Sequence, residues 1–518
     1  MKQVKARLVL WKQALLALVT SLALLWPAVI NGGPFWFPDT STYIRAADAA
    51  FVFATGHKSD WSTKLMELDE AGASPVADAG DPNVTRESKG GRLVPTRPVL
   101  KGRSIYYGAL LFFPILVAGP WAAIFAQALI ASGFLLYCIA IVRRAVPSIS
   151  DRRVGLVLAI LVIATPLPFY ASMLMPGVYM GVMILALSCL FVFWDHLSVH
   201  ERLFLIVASG FMATFHTTML LVAICMAIGG FLLLPKGRQR LRPVIAGSIL
   251  VAITFAANAA FSISVEKATG IKPISPPFLT ARLTAGEAGT AFTAEKCKDG
   301  SEPFAVCRYR DRFPLNSDLF LWDADPQTGI FEPAPAEEQA LLAAQDKRFF
   351  FAVLAHDPVL LISSSLSDFA VQLVSFDLVN FNRQQDPADL DSKYPQDIAG
   401  NILESRAANE AMPVAMTVWL TIGSVVVSLA VLGWYAAATF RQKEASTRGM
   451  QNVVILAVLA ILANAAICGA FSGPKARYQM RMIWILPAVA MLASASLLPG
   501  IQTQPAGRTK REEPSPAE

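Results

Sequence analysis

Phe35-Trp36-Phe37-Pro38-Asp39-Thr40-Ser41-Thr42-Tyr43-Ile44-Arg45 follows directly on the first apolar segment of the chain. An acidic residue therefore stands beside aromatic residues, close to the point where the chain should leave a lipid bilayer. An acid at that depth is costly unless it has a partner or a function. Pro38 and Asp39 can also begin the helix predicted over 42–50, so a plain helix cap at a membrane surface is the alternative interpretation.

The composition of the whole chain indicates a polytopic all-α membrane protein. Of its 518 residues, 54% are hydrophobic and only 16% are charged, and the mean hydropathy is +0.49. Ordinary soluble domains do not have that composition. The net charge of +6 does not indicate nucleic-acid binding, because the basic residues fall between apolar segments, where they set membrane orientation.

The apolar segments and their basic flanks predict about ten membrane-spanning helices with both termini in the cytoplasm. The predicted spans are 14–30, 121–142, two within 154–194, two within 203–234, 243–265, 414–440, 452–471 and 482–498. The segment 203–234 is long for one crossing and short for two. Two crossings place its basic flanks on the same side as Arg143 and Arg144, and they put His216 near an external bend.

These spans divide the chain into an N-terminal module, a large external region and a C-terminal module in the inner membrane. The divisions are 1–262 with seven spans and a first external loop at 31–120, 263–413 outside the membrane, 414–500 with three spans, and a disordered cytoplasmic tail at 501–518. Juxtamembrane helices are expected at 105–119, which is too short to cross, and at 359–376. The latter is apolar apart from Asp368 and several serines, but a crossing there would put every later basic loop outside.

The six cysteines fall into two groups. Cys138, Cys189, Cys225 and Cys468 lie in apolar segments, where buried thiols are usually inert. Cys297 and Cys307 share one long polar loop. A disulfide between them is expected if that loop faces an oxidising compartment such as a periplasm, although two free thiols remain the alternative.

Three short motifs around the predicted spans carry a family resemblance. They are Arg103-Ser104-Ile105-Tyr106-Tyr107-Gly108 before a span that ends in paired arginines, Ala355-His356-Asp357-Pro358 before the expected interfacial helix, and Lys475-Ala476-Arg477-Tyr478-Gln479-Met480-Arg481 between the last two spans. Together with an external acid just after the first helix, this layout resembles the GT-C glycosyltransferases.

The resemblance implies a GT-C-like fold and an enzyme that takes a sugar from a polyprenyl-phosphate donor on the outer face of the membrane. The acceptor would be a glycan, a lipid or a protein, and the transfer would be inverting. Asp39 is the candidate catalytic base. The candidate substrate-binding residues are Arg103, Tyr106, His216, Lys475, Arg477, Tyr478 and Arg481.

Each of these assignments has an ordinary structural alternative. The four basic residues match phosphate oxygens, but attraction to anionic lipid headgroups gives the same pattern. His216 is more often a hydrogen-bonded packing residue in such a setting, and Tyr106 can belong to the interfacial aromatic belt.

A divalent cation is possible but not indicated by a ligand set. The turn Leu174-Met175-Pro176-Gly177-Val178-Tyr179 lacks the second acid that many GT-C enzymes carry between the third and fourth spans. A lone carboxylate is a poor site for a divalent metal. The protein either works without a metal or uses Asp48 or another acid of a loop.

Two other functions fit the same general layout. One is an O-antigen polymerase or ligase-like enzyme, which would not need an acid directly after the first span. The other is a non-enzymatic transporter or flippase, which predicts polar residues that face one another at mid-bilayer. The sequence has no Walker-type loop, dinucleotide glycine pattern or Cys/His cluster, which lowers the case for ATP-driven or redox roles.

Overall fold

The computed structural model describes residues 2–64, 88–89, 92–93, 99–298, 303–442 and 444–497, with side chains from residue 11 onward except in the two short strands. The N-terminal helices are α1 Lys2–Leu24, α2 Trp26–Asn31, α3 Thr40–Thr55, α4 Ile105–Ala145, α5 Asp151–Ile163, α6 Leu167–Ser172, α7 Gly177–Val192, α8 Val199–Ala213, α9 Thr217–Leu233 and α10 Arg238–Thr269. The remaining helices are α11 Phe278–Thr284, α12 Glu287–Lys296, α13 Ser317–Trp322, α14 Ala336–His356, α15 Pro358–Leu373, α16 Pro387–Lys393, α17 Gln396–Glu404, α18 Val414–Thr439, α19 Ala445–Ser472, α20 Ala476–Ile483 and α21 Ile485–Leu497. Short 3-10 turns cover Trp194–His196, Ala305–Arg312 and Val379–Phe381, and the strands β1 Ser88–Lys89 and β2 Arg92–Leu93 pair antiparallel.

The helices confirm a polytopic all-α membrane protein. Within the described residues, six helical segments are long and apolar enough to cross a bilayer: Trp11–Asn31, Ile105–Ala145, Arg238–Thr269, Val414–Thr439, Ala445–Ser472 and Ala476–Leu497. The bent pair α14 and α15 would make a seventh. The helices α7 and α9 are apolar but shorter. The predicted tail 501–518 lies outside the described residues.

The ambiguous segment 203–234 forms two helices that run antiparallel. They are α8 and α9, and the chain breaks at 214–216. Arg202, near the start of α8, and Arg242, near the start of α10, both lie over the ring of Trp194. The start of α8 and the end of α9 therefore lie at the same end of the bundle, and His216 lies at the other.

The long helix α4 is broken where two predicted pieces meet. Ala118 and Gly119 leave the helical conformation, and Gly119 has a φ of 78°, which a residue with a side chain rarely adopts. Pro120 follows this break. The result is an N-terminal piece that contacts α3 and a C-terminal piece that contacts α7.

The region 263–413 contains a small apolar core of its own. Its largest buried side chains include Phe292, Phe320, Phe331 and Phe349. Cys297 and Cys307 are joined by a disulfide in this region, with their Cα atoms 5.1 Å apart. The helices α14 and α15 meet at an angle of 107°.

The segment 35–40 is fixed to the membrane bundle by backbone bonds. Phe35 donates its N–H to the carbonyl of Ser172 and accepts from the N–H of Leu174, both at 3.0 Å. The buried amide of Gln127 donates to the carbonyls of residues 170, 171 and 173 and accepts from the hydroxyl of Tyr107. A polar side chain inside the bundle thus holds the loop that anchors the Asp39 segment.

Candidate active site

Asp39 pairs with Arg103 instead of capping a helix. It occupies the N-cap position of α3, but its side chain accepts no capping hydrogen bond. The carboxylate lies 2.5 Å from the guanidinium of Arg103, and the two side chains are only 25% and 18% exposed. The interpretation of Asp39 as a plain helix cap is therefore wrong, because the carboxylate is used in a half-buried ion pair.

Thr40 sets the position of the Asp39 backbone. Its hydroxyl accepts the N–H of Phe37 at 3.0 Å and donates to the carbonyl of Leu174 at 3.1 Å. These bonds hold the turn that precedes α3 against the loop after α6. The result places Asp39 at the end of the bundle where Gly177 packs against Arg481, which we call the Asp39 end.

The turn 475–481 brings two arginines to the same place. The guanidinium carbon of Arg477 lies 4.8 Å from the ring centre of Phe37, two residues before Asp39. Tyr478 lies between both arginines, with its ring 5.1 Å from the guanidinium of Arg477 and 5.2 Å from that of Arg481. These stacked contacts hold the planar guanidinium groups in place.

Of the four basic residues of the site, two form an ion pair with a carboxylate. Arg103 pairs with Asp39, and Lys475 pairs with Asp318 at 2.5 Å. Within the described residues, Arg477 and Arg481 have no carboxylate at ion-pair distance. Arg481 is 6% exposed, and within the part of the chain that the structure describes its side chain hydrogen-bonds to the neutral groups of Thr218, Asn464 and Cys468.

The charges of the site act on one another. Burial lowers the pKa of Arg103, but the charge of Asp39, the neighbouring Tyr43 and the hydrogen bond to Asp39 together outweigh this effect and hold the pKa above its ordinary value. The nearby charge of Arg477 opposes that rise. Two like charges in partly buried surroundings repel each other unless an anion lies between them. The Asp39 end therefore has a surplus of positive charge that an anionic ligand would neutralise.

Aromatic residues outside the set of candidate substrate-binding residues line the site. Tyr43 and Tyr107 are fully buried and meet edge to face at 5.1 Å. Tyr107 also contacts Tyr179 and Phe215, at 6.2 and 5.4 Å. Burial raises the pKa of Tyr43 well above its ordinary value, so it stays a neutral phenol. Tyr179 has a buried hydroxyl without a hydrogen-bond partner in the described part of the chain.

His216 is connected to the site through Thr218. Its Nδ1 accepts the N–H of Thr218 at 3.2 Å and lies 2.8 Å from the Thr218 hydroxyl, which accepts from Arg481. Because Nδ1 accepts this N–H bond, the Thr218 hydroxyl beside it can donate a hydrogen bond to the same nitrogen while it accepts one from Arg481. His216 therefore orients the Thr218 hydroxyl that holds Arg481.

Tyr106 is directed elsewhere. Its hydroxyl donates to the carbonyl of Ala257 in α10 at 2.6 Å, and its ring contacts Phe211 in α8. The structure thus uses this tyrosine to join membrane helices, while its neighbour Tyr107 faces the site. Asp357 caps α15 by accepting the N–H of Leu360, and His356 lies 3.4 Å from Glu295, so neither belongs to the Asp39 end.

Asp48 does not share an ion with Asp39. Its two carboxylate oxygens accept hydrogen bonds from the hydroxyls of Ser59 and Ser62, at 2.7 and 2.6 Å. It is also nine residues further along the chain, which corresponds to about 13 Å of helix. Across the described residues, no three His, Cys, Asp or Glu side chains form a group that would hold a metal ion.

Comparisons with known proteins do not place the chain in a family. No protein-family model and no curated protein matches the sequence. Among solved structures, the crystal structure of ArnT from Cupriavidus metallidurans in the apo state aligns with 95% of this chain and 78% of its own, at 14% identity and a TM-score of 0.30. A similarity at that level transfers no function, so the functional argument rests on the geometry of the Asp39 end.

Proposed function

We propose that this protein is a membrane glycosyltransferase of the GT-C type, which transfers a sugar from a polyprenyl-phosphate donor to a glycan, lipid or protein acceptor at the outer face of the bacterial inner membrane. One observation carries the proposal. Arg477 and Arg481, which have no carboxylate at ion-pair distance within the described residues, lie at the same end of an apolar helical bundle as the carboxylate of Asp39.

Burial favours a specific anion over general attraction to headgroups. A residue that attracts bulk lipid headgroups has to reach the surface, as long basic side chains do at membrane interfaces. Arg481 is 6% exposed and is held by three neighbours. A phosphate that enters the site would replace the mutual repulsion of the guanidinium groups with charge-assisted hydrogen bonds.

The proposed reaction uses Asp39 as the base. The acceptor hydroxyl gives its proton to the Asp39 carboxylate, and the resulting oxygen nucleophile attacks the anomeric carbon of the donor sugar. The bond between that carbon and the phosphate oxygen breaks, and the electron pair leaves with the polyprenyl phosphate. A single attack of this kind inverts the anomeric centre, as it does when a base activates the nucleophile in inverting glycosidases.

The Asp39–Arg103 ion pair fits this step. A donor phosphate that takes hydrogen bonds from Arg103 leaves the Asp39 carboxylate free to accept a hydrogen bond from the acceptor hydroxyl. The arrangement thus links donor binding to activation of the acceptor.

Binding of a polyprenyl phosphate to the purified protein tests the proposal. We expect the polyprenyl phosphate to bind and a polyprenol of the same length, which lacks the phosphate, to bind at least tenfold more weakly. Mass spectrometry of lipids that co-purify with the protein should find a polyprenyl-phosphate species. Equal affinity for phosphate and alcohol would show that the arginines do not bind the phosphate and would overturn the proposal.

The orientation needs a separate test. Single cysteines at exposed positions of 266–413 should react with an impermeant thiol reagent applied from the periplasmic side. Cysteines near Arg242 should react only after the membrane is permeabilised. The opposite labelling pattern would place the Asp39 end in the cytoplasm, where an external acceptor has no access.

A further inference from the structure

Arg282 connects the external region to the helix that precedes the basic turn. It lies on α11 and forms an ion pair with Asp368 of α15. The same guanidinium lies within hydrogen-bonding distance of the carbonyls of Ala470 and Gly469, at 3.3 and 3.4 Å. The side chains of Arg282 and Asp368 are only 18% and 26% exposed.

The two carbonyls belong to the last turn of α19. Carbonyls in the last turn of a helix have no partner within the helix, and a basic side chain there both satisfies them and complements the helix dipole. The next residue after this helix is Gly473, whose φ is 77°. Arg282 therefore fixes the point from which the chain turns toward Arg477.

Gln372 holds the other side of the same turn. Its side-chain amide donates to the carbonyl of Lys475 at 3.1 Å and accepts the N–H of Lys475 at 2.9 Å. The side chain is fully buried. Since Asp368 and Gln372 lie four residues apart on α15, both contacts come from one face of that helix.

We propose that Arg282, Asp368 and Gln372 are positioning residues, which set the location of Arg477 and Arg481 for the donor phosphate. The proposal rests on the proposed function, because it assigns these contacts to donor binding. It also explains why an acid interrupts the apolar segment 359–376. The outward side chains of α15, such as Val359 and Leu366, are apolar and exposed, whereas Asp368 turns toward Arg282.

The expected effect of disturbing these contacts falls on the donor site. Displacement of a binding group by about 1 Å can cost up to a hundredfold in rate. We expect Arg282→Ala and Gln372→Leu each to weaken polyprenyl-phosphate binding by about tenfold. Arg282→Lys keeps the positive charge beside Asp368 and should recover most of the affinity.

Amide hydrogen exchange in the protein without ligand provides a readout that does not depend on the proposed function. In both variants, the amides of 473–483 should exchange faster than in the wild-type protein. The exchange rates of the amides of 35–45 should not change. Arg312→Ala is a matched control, because the Arg312 guanidinium also donates to backbone carbonyls of the external region, but to those of residues 326, 327 and 329 and not to those of α19. It should alter neither the affinity nor the exchange of 473–483.

The outcomes separate the two proposals. Unchanged exchange over 473–483 in both variants would overturn the positioning role. Faster exchange with unchanged polyprenyl-phosphate affinity would also overturn it, since the turn would then not present the donor site. If wild-type protein binds no polyprenyl phosphate, the proposed function fails while the exchange result still stands. Gln372→Leu leaves the ion pair between Arg282 and Asp368 intact. This variant can therefore test the positioning role if Arg282→Ala does not fold.

Discussion

The two ends of the helical bundle use arginine in different ways. At the end opposite Asp39, Arg242 pairs with Asp195 at 2.8 Å and Arg144 pairs with Glu201 at 2.7 Å. At the Asp39 end, Arg477 stacks on aromatic rings and Arg481 bonds to neutral groups. Arg242 and Arg144 are therefore neutralised by carboxylates of the protein, whereas Arg477 and Arg481 have no carboxylate at ion-pair distance within the described residues.

The exposure of the charged side chains also differs between the two ends of the bundle. Asp195 is 59% exposed in its ion pair, and the hydrogen bond from Arg242 lowers the pKa of this carboxyl below its ordinary value. Ion pairs with one partner in solvent contribute little to stability. A partly buried arginine without an acid is costly by itself, and the proposed anionic donor would offset that cost.

The largest expected effect comes from Asp39→Asn. Loss of a general base should lower turnover by about two to four orders of magnitude, while the protein still folds and inserts. Binding of polyprenyl phosphate should not weaken, because Arg103 loses its competing carboxylate. Asp195→Asn at the opposite end is the control and should keep normal turnover. Wild-type turnover of Asp39→Asn would remove Asp39 from the reaction.

The second-largest effect is expected from Arg477→Ala, which should weaken the binding of polyprenyl phosphate. A charged hydrogen bond contributes about 1.5–3 kcal/mol, so the dissociation constant should rise by about 10-fold to 150-fold. The thermal midpoint should change little, since Arg477 has no ion pair to lose within the described residues. Arg242→Ala is the matched change at the opposite end. An equal loss of affinity in both variants would contradict the distinction between the two ends.

A smaller effect in the opposite direction is expected from Asp318→Asn. This change frees Lys475, whose partner is 59% exposed, so the gain is limited to the value of a surface ion pair, below about 1 kcal/mol. Polyprenyl-phosphate affinity should improve by less than about fivefold. Lys475→Ala should weaken it. If both variants bind equally well, Lys475 lies outside the anion site.

The smallest effect is expected from changes at the end of the bundle opposite Asp39. Breaking the pair between Arg242 and Asp195 should cost less than about 1 kcal/mol of unfolding free energy and leave polyprenyl-phosphate affinity within twofold of wild type. Isothermal titration and a denaturant series measure the two quantities. A large loss of affinity would mean that the opposite end contributes to donor binding.

Local signals in the sequence predicted much of the helix pattern. Apolar runs and prolines indicate where helices begin and end, because hydrophobicity and the missing N–H act on neighbouring residues. The breaks near Pro120 and Pro176 follow from these signals. The basic turn 475–481 and the acid at 39 also stand out locally. Their types and positions suggest chemistry even before their partners are known.

Pairings between distant residues could not be predicted. Asp39 and Arg103 form an ion pair although they are 64 residues apart in the sequence. Arg282 and Asp368 do so at a separation of 86 residues. Tyr106 and Tyr107 are adjacent and equally suited to a site, yet only the tertiary packing directs Tyr107 toward Tyr43 and Tyr106 toward Ala257. A motif gives residue types, but helix rotation decides which side chain faces inward.

The sequence by itself determined that this chain is helical and enters a membrane, because hydrophobicity and helix-breaking residues act over a few positions. Only the tertiary structure decided which cations keep a carboxylate partner and which do not. Arg103 and Lys475 are neutralised by side chains from other segments, while Arg477 and Arg481 meet aromatic and neutral groups. That selection depends on which helices pack together, and no local pattern specifies it.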